Sequence, residues 1–271
     1  MSLKTQRRIG FAALGLGLAV LYFIVLLTAL HAVGTDDALY FREQMAAGVL
    51  PGAGVSEEDL RMLDERLARY LGGDSTALSD ELGGGVLSCA VIPVPVFGET
   101  QPAFNDREMT HMLDCYDLFA LLRKVRSRLI PWAILLGVGG AYLLRDSRRI
   151  RWAAWLSPLI LLVPLGAFAI WAVADFNAAF NFFHKLLFTN DLWLLDPRTD
   201  LLIRICPQSM FAHMGLRIAL LTALALFGVP ALIALLTAVI PRGKEENTWN
   251  NKDIRRGSAQ KQIDFGKRGT R

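Results

Sequence analysis

Charge is missing from long parts of this 271-residue chain. No Asp, Glu, Lys or Arg occurs in 11–33, 129–144, 152–174 or 218–240, together 85 residues. About 20 apolar residues cross a bilayer as a helix, and roughly 17 is the lower limit. Three runs are long enough alone. The second, with 16 residues, gains reach if Arg128 and Arg145 snorkel. These runs predict a polytopic membrane protein and exclude nucleic-acid binding and soluble cytosolic metabolism. Cysteine is scarce as well. Cys89, Cys115 and Cys206 are the only three, too few for a disulfide-stapled miniprotein. Several catalytic signatures are absent: the chain has no Gly-x-Ser-x-Gly elbow, no His-Glu-x-x-His pair and no phosphate loop.

The charges that are present divide the chain. Residues 1–10, 145–151 and 241–271 carry sixteen Lys/Arg against five Asp/Glu, a net of +11. Residues 34–128 and 175–217 carry thirteen against twenty, a net of −7. Basic residues collect in short cytoplasmic loops, so the expected order is a cytoplasmic N-terminus 1–10, a span 11–33, an extracytoplasmic domain 34–128 and a span 129–144. A cytoplasmic loop 145–151, a span 152–174, an extracytoplasmic interfacial loop 175–217, a span 218–240 and a basic cytoplasmic tail 241–271 complete it. The fold class predicted is an α-helical polytopic membrane protein, with a small α+β extracytoplasmic domain between the first two of four spans. Lys4, Arg7 and Arg8 resemble a signal-peptide n-region, but the apolar run after them exceeds an h-region and predicts an uncleaved anchor. The tail is polar and reads as disordered. All three cysteines fall outside, where a Cys89–Cys115 disulfide is permitted.

The outer segments carry the candidate chemistry. A short amphipathic helix is expected from Tyr40 through Met45. Ser56 then caps a helix whose first turn is acidic, whose Leu60, Leu63, Leu67 and Leu71 share a face, and which Gly72-Gly73 ends. A Gly83-Gly84-Gly85 turn precedes the β-branched run Val86 to Phe97, which Pro93 and Pro95 confine to a sheet edge. Asn105, with Glu108 three residues on, predicts a capping box and a helix from Asp106 to about Arg128. On that helix His111 lies three residues from both Glu108 and Asp114. One carboxylate could fix its tautomer and raise its pKa, leaving the other nitrogen free to move a proton. An ordinary ion pair on a solvated face is the alternative.

In the second outer segment, Phe176, Phe180, Phe183 and Leu187 make an apolar stripe suited to the lipid interface, with Phe182 and Phe188 alongside. His184 sits within it, where packing alone could account for it. Asp196-Pro197 has the pattern of a helix start, and Trp193 suits an interfacial position. All four histidines, His31, His111, His184 and His213, fall on the outer side. Ionisable groups at a membrane surface make a functional site the default reading.

The run Phe104-Asn105-Asp106-Arg107-Glu108-Met109-Thr110-His111-Met112-Leu113-Asp114 resembles the signature of the lipoprotein intramolecular transacylase family, bacterial four-helix membrane proteins. So do Tyr40-Phe41-Arg42, Tyr70-Leu71-Gly72-Gly73 and the run from Phe183-His184 through Phe188, Asn190-Asp191, Trp193 and Leu195-Asp196-Pro197. The resemblance covers about residues 10–240. It implies transfer of the sn-2 acyl chain of a diacylglyceryl lipoprotein onto the α-amine of its N-terminal cysteine, in a bacterial cell membrane. It places the two family histidines at His111 and His184, and the substrate-binding or supporting residues among Asn105, Arg107, Glu108, Asp114, Asn190, Asp191, Trp193 and Asp196. No metal or other cofactor is expected, and the implied partners are diacylated lipoproteins and membrane lipid. Cys115-Tyr116 stands where the family usually has Val-Lys.

The residue types suit that chemistry independently. An O-to-N acyl shift needs an amine that has lost its proton, a donor for the oxyanion and a proton for the leaving oxygen. A histidine can take and return the proton. A second imidazole, Asn105, Asn190 or Arg107 could serve the oxyanion, worth about 3–4 kcal/mol. No covalent nucleophile is required, because ester and amine belong to one molecule. Two rival readings are a metal-dependent hydrolase using Glu108, His111 and His184, and a non-enzymatic membrane assembly factor.

Overall fold

The computed structural model describes residues 2–75, 77 and 92–239. The Gly83-Gly84-Gly85 turn, the strand start at Val86, Cys89 and the basic tail lie outside these residues. Contacts divide the chain into two units, Met1–Ile233 and Ala234–Arg271.

Helix α1, Leu3–Gly34, contains the first apolar run and starts where the Ser2 hydroxyl accepts the Thr5 N–H. Asp36 caps α2, Asp37–Ala47, and Gly48 ends it at φ +67°. The single turn α3, Leu50–Ala53, leads to α4, Glu57–Gly72, which has the expected Ser56 cap and stops at Gly73 with φ +118°. Strand β1, Pro93–Val96, pairs antiparallel with β2, Glu99–Pro102, through a Phe97-Gly98 turn in which both residues have positive φ. The prolines thus sit in a ribbon of two strands among the described residues, where a missing N–H is tolerated.

Helix α5 departs from the expected boundaries. It runs unbroken from Asp106 to Leu144, 39 residues, or about 58 Å at 1.5 Å per residue. That is nearly twice the ~30 Å hydrocarbon thickness. Its charge-free part is 129–144, and the half that carries Asp106, Arg107, Glu108, Asp114 and Asp117 projects beyond the membrane. Because the helix does not end at Arg128, the short second run is no obstacle to crossing.

The third span is made of two helices, α6, Ser147–Leu156, and α7, Leu159–Ala174. They break at Ser157-Pro158 because proline has no N–H and crowds the preceding turn. Helix α8, Phe176–Leu187, is followed by turns, the five-residue α9, Leu201–Ile205, and α10, Gln208–Val239. Among the described residues, four helical stretches are long and apolar enough to cross a membrane: α1, α5, α6 with α7, and α10.

Two cores hold these elements. In the bundle, Leu14, Leu18, Tyr22, Leu144, Ala153, Ala154 and Leu226 cluster. There α1 and α5 meet at backbone contact. A Cβ on Gly17 would lie 2.5 Å from the Gly137 nitrogen, and one on Gly140 would strike the Leu14 backbone. Small residues of this kind let membrane helices pack closely. Outside the bundle, Leu60, Leu63 and Leu67 of α4 pack with Tyr40, Val94, Val96, Met112, Leu201, Ile205 and Met210. Each fully buried leucine contributes about 1.5–3 kcal/mol. This second core takes α9 and the start of α10 from the 175–217 segment. The small α+β head is therefore completed by residues far beyond those between the first two spans.

Candidate active site

Helix α5 starts as the capping-box pattern predicts. The Asn105 side chain accepts from the Arg107 and Glu108 N–H groups, and the Asn105 N–H donates to Glu108 Oε2 at 2.8 Å. Glu108 is 1% exposed, and its other oxygen accepts the Leu202 N–H at 2.6 Å. One carboxylate thus closes the start of α5 and of α9. Burial pushes its pKa up against the pull of the two N–H groups.

Next to it Asp200, also buried, accepts from Asn105 Nδ2 at 2.8 Å, from Thr199 Oγ1 at 2.8 Å and from the Asp196 N–H at 2.7 Å. Two further bonds cross between the segments. Arg107 donates to the Asp191 carbonyl at 2.7 Å, and Asn190 Nδ2 donates to Asp114 at 2.8 Å. Together these bonds fix the 190–202 segment against the first three turns of α5.

The clasp brings the two predicted histidines together. Their ring centroids are 6.3 Å apart, from positions 73 residues apart in sequence, and each residue is 8% exposed. His184 lies between Phe180 at 4.2 Å and Trp193 at 4.8 Å, with the indole nearly parallel at 28°. Phe188 lies against both imidazoles, 5.2 Å from His111 and 5.8 Å from His184.

His184 Nδ1 is 2.8 Å from the Phe180 carbonyl oxygen. A carbonyl only accepts, so Nδ1 carries the hydrogen and the Nε2 lone pair is free. Burial lowers the His184 pKa, although the Phe180 carbonyl pulls the other way. His111, on the part of α5 beyond the membrane, is driven down to about 4 by burial and by His184, with Asp114 offsetting in part. Both rings are therefore neutral bases at physiological pH.

Several expectations change here. Neither carboxylate bonds to His111 to fix its tautomer, since Glu108 is committed to backbone N–H groups and Asp114 to Asn190, and the upward pull of Asp114 is outweighed by burial. His111 Nε2 instead faces the Cys115 thiol at 3.7 Å, and its Nδ1 is buried without a partner among the described residues. Asn105 and Asn190 each give an amide N–H to a carboxylate, Asp200 and Asp114, and so take part in caps and cross-links. Asp196-Pro197 starts no helix. Asp196 closes a turn with Arg198, and α9 begins after Asp200, where the backbone turns helical and Glu108 supplies the missing cap. Asp191 contributes its backbone carbonyl.

His31 lies beside Phe119, and His213 pairs with Glu43 at 2.6 Å; neither joins the pair. Cys115 and Cys206 are free thiols, and the pairing considered for Cys89 lies outside the described residues. The hydrolase reading needs Glu108 as a ligand beside the histidines, but its oxygens are turned into the clasp. Among the described residues no three His, Cys, Asp or Glu side chains are grouped to hold a metal.

Sequence reasoning missed Asp200. The clue was Thr199-Asp200 ahead of Leu201-Leu202, a polar pair before an apolar run, outcompeted by the stronger Asp-Pro signal. Cys115 as a neighbour of His111 follows from their i, i+4 spacing. The stacking of Trp193 on His184 had no local signal.

Known proteins agree with this architecture. No curated protein matches the chain. Among solved structures, the in meso structure of the membrane-integral lipoprotein intramolecular transacylase Lit from Bacillus cereus is similar over 86% of this chain and 94% of that one, at 20% identity and a TM-score of 0.56. A form of the same protein with a histidine-to-arginine mutation is similar over 87% and 92%, at 20% identity and a TM-score of 0.54. The family model described as lipoprotein intramolecular transacylase Lit matches residues 15–211, which include the head, both histidines and the clasp. The chain belongs to the lipoprotein intramolecular transacylase family and is an integral membrane enzyme of the intramolecular acyltransferase type.

Proposed function

We propose that His111 and His184 form one acyl-transfer site at the outer face of a bacterial cell membrane, with both chain termini in the cytoplasm. The substrate is a diacylglyceryl lipoprotein, and the sn-2 acyl chain moves to the α-amine of its N-terminal cysteine. His184, with Nδ1–H held by the Phe180 carbonyl, uses Nε2 to take the amine proton and returns it to the glyceryl oxygen. His111 assists from the opposite side of the pocket. Asn105, Arg107, Glu108, Asp114, Asn190 and Asp191 act by holding the two segments together, and Asp196 by shaping the turn before Asp200. The aromatic walls limit water, so transfer within one molecule outruns hydrolysis. Exposed Phe182, Phe183 and Leu186 on α8 face the lipid from which acyl chains arrive.

The observation that carries this reading is the approach of the two imidazoles to 6.3 Å inside a buried aromatic pocket. Mass spectrometry of a diacylated lipopeptide incubated with the full-length enzyme tests it. The expected product has unchanged mass, one ester-linked and one amide-linked chain, and a blocked amine. Release of fatty acid would show hydrolysis. A heavier product carrying label from phospholipid acyl chains would show intermolecular transfer.

A further inference from the structure

We propose that the indole N–H of Trp193 is the donor that holds the carbonyl oxygen of the migrating acyl group while it bears negative charge. The proposal rests on the transacylase reading above. Trp193 is 8% exposed, and its Nε1 has no hydrogen-bond partner among the described residues. An indole N–H can only donate. Buried tryptophans normally find an acceptor, and an orphan in a native core calls for an explanation such as a catalytic role. This orphan belongs to the ring that lies nearly flat on His184, so the stack fixes the donor's ring against the imidazole that moves the proton.

The competing side chains are each already held by a partner. Asn105 Nδ2 is held by Asp200, Asn190 Nδ2 by Asp114, Arg107 by the Asp191 carbonyl and His184 Nδ1 by Phe180. His111 Nδ1 also lacks a partner among the described residues, but whether it carries a hydrogen depends on its tautomer. The indole donates in every protonation state of the site.

In the step itself the free amine nitrogen attacks the ester carbon and loses a proton to His184 Nε2. The carbonyl π pair moves onto its oxygen, which accepts the Trp193 N–H without proton transfer. Collapse restores the C=O bond and breaks the bond from the acyl carbon to the glyceryl oxygen, which takes the proton from His184. Atoms and charge balance, and the lipopeptide mass is unchanged.

The test uses the full-length enzyme and a diacylglyceryl lipopeptide. Trp193 is replaced by phenylalanine and, through an unnatural residue, by β-(benzothien-3-yl)alanine, which keeps the bicyclic ring and puts sulfur in place of N–H. Both variants are expected to lose roughly 10²-fold or more in kcat, the usual result of deleting one such donor. KM, the thermal midpoint and the shape of the pH profile should stay as in wild type. A benzothienyl variant with wild-type kcat would overturn the proposal and leave Trp193 a stacking platform. So would a kcat loss matched by an equal loss of folded protein. If the wild-type enzyme itself forms no amide-linked product of unchanged mass, the transacylase reading fails first, and that outcome is distinct from an active enzyme indifferent to the N–H.

Discussion

The membrane bundle and the head solve opposite problems. In the bundle, α7 buries no residue, and Val173 is 90% exposed, its side chain suited to lipid. Cohesion there comes from backbone proximity, at Gly17 and Gly140, with few polar groups to satisfy. The head buries Glu108, Asp200, Asp64, Gln44 and the paired histidines His111 and His184. Each such group calls for a partner, and one left without is expensive. The bundle thus tolerates change on most of its surface, whereas the geometry of the site depends on a handful of hydrogen bonds in the head.

Removing the clasp carboxylate should have the largest effect. Glu108→Ala leaves the Asn105 and Leu202 N–H groups without their acceptor, at about 1–3 kcal/mol each. Thermal unfolding should show a loss of several kcal/mol, with activity falling alongside. A variant as stable as wild type would mean that the clasp is ornamental and the bundle holds the site.

Asp64 gives a change of opposite sign. Gln44 Nε2 donates to its Oδ1 at 2.9 Å, but Asp64 Oδ2 and Gln44 Oε1 both lack partners among the described residues. Burial raises the Asp64 pKa to about 7, so the folded state holds a proton that the unfolded state has lost. That contribution to stability is complete below pH ~4 and is lost as pH rises through about 7, on the order of 4 kcal/mol by pH 8. Asp64→Asn should raise the unfolding midpoint at pH 8 and flatten its pH dependence. An unchanged pH slope would place the carboxylate in contact with water.

In the bundle, Gly140→Val must push α5 off the Leu14 backbone and should cost up to about 3 kcal/mol. Val173→Ala, by contrast, should lie within ~0.5 kcal/mol. Equal effects at the two positions would contradict the assignment of one to a packed interface and the other to lipid.

The pH profile of kcat/KM gives the finest discrimination. The substrate amine, with a reference pKa of about 7.7–8.0, must be free. Log kcat/KM should therefore fall with slope one below that value. Because burial lowers both imidazole pKa values, the slope should not reach two at the ordinary histidine value near 6.5. A break to slope two there would mean that the pocket is wet.

Much of this was legible in the sequence because the signals were local. Charge-free runs gave four spans, Asn105 with Glu108 gave a helix start, and Ser56 with four spaced leucines gave α4. The two histidines were singled out by their surrounding motifs, and a single fold unites those motifs. What was hidden depends on contacts between distant segments. Glu108 looked like a partner of His111 because they share a helix face. In the structure it turns to Leu202, 94 residues away, where an unsatisfied N–H competes more strongly. Asp196-Pro197 had the better local helix signal, but Asp200 won the position because Asn105 and Thr199 hold its carboxylate.

The central claim is that His111 and His184 act as one unit. Its most direct test is kcat/KM for intramolecular transfer by His111→Ala, His184→Ala and the double variant, with each protein verified as folded in the membrane. General acid–base catalysis contributes about 10²–10⁴-fold, and residues acting as a unit are strongly non-additive. Each single variant should therefore lose activity in that range, and the double variant should be hardly worse than either. Losses that multiply would contradict the account by showing two independent roles.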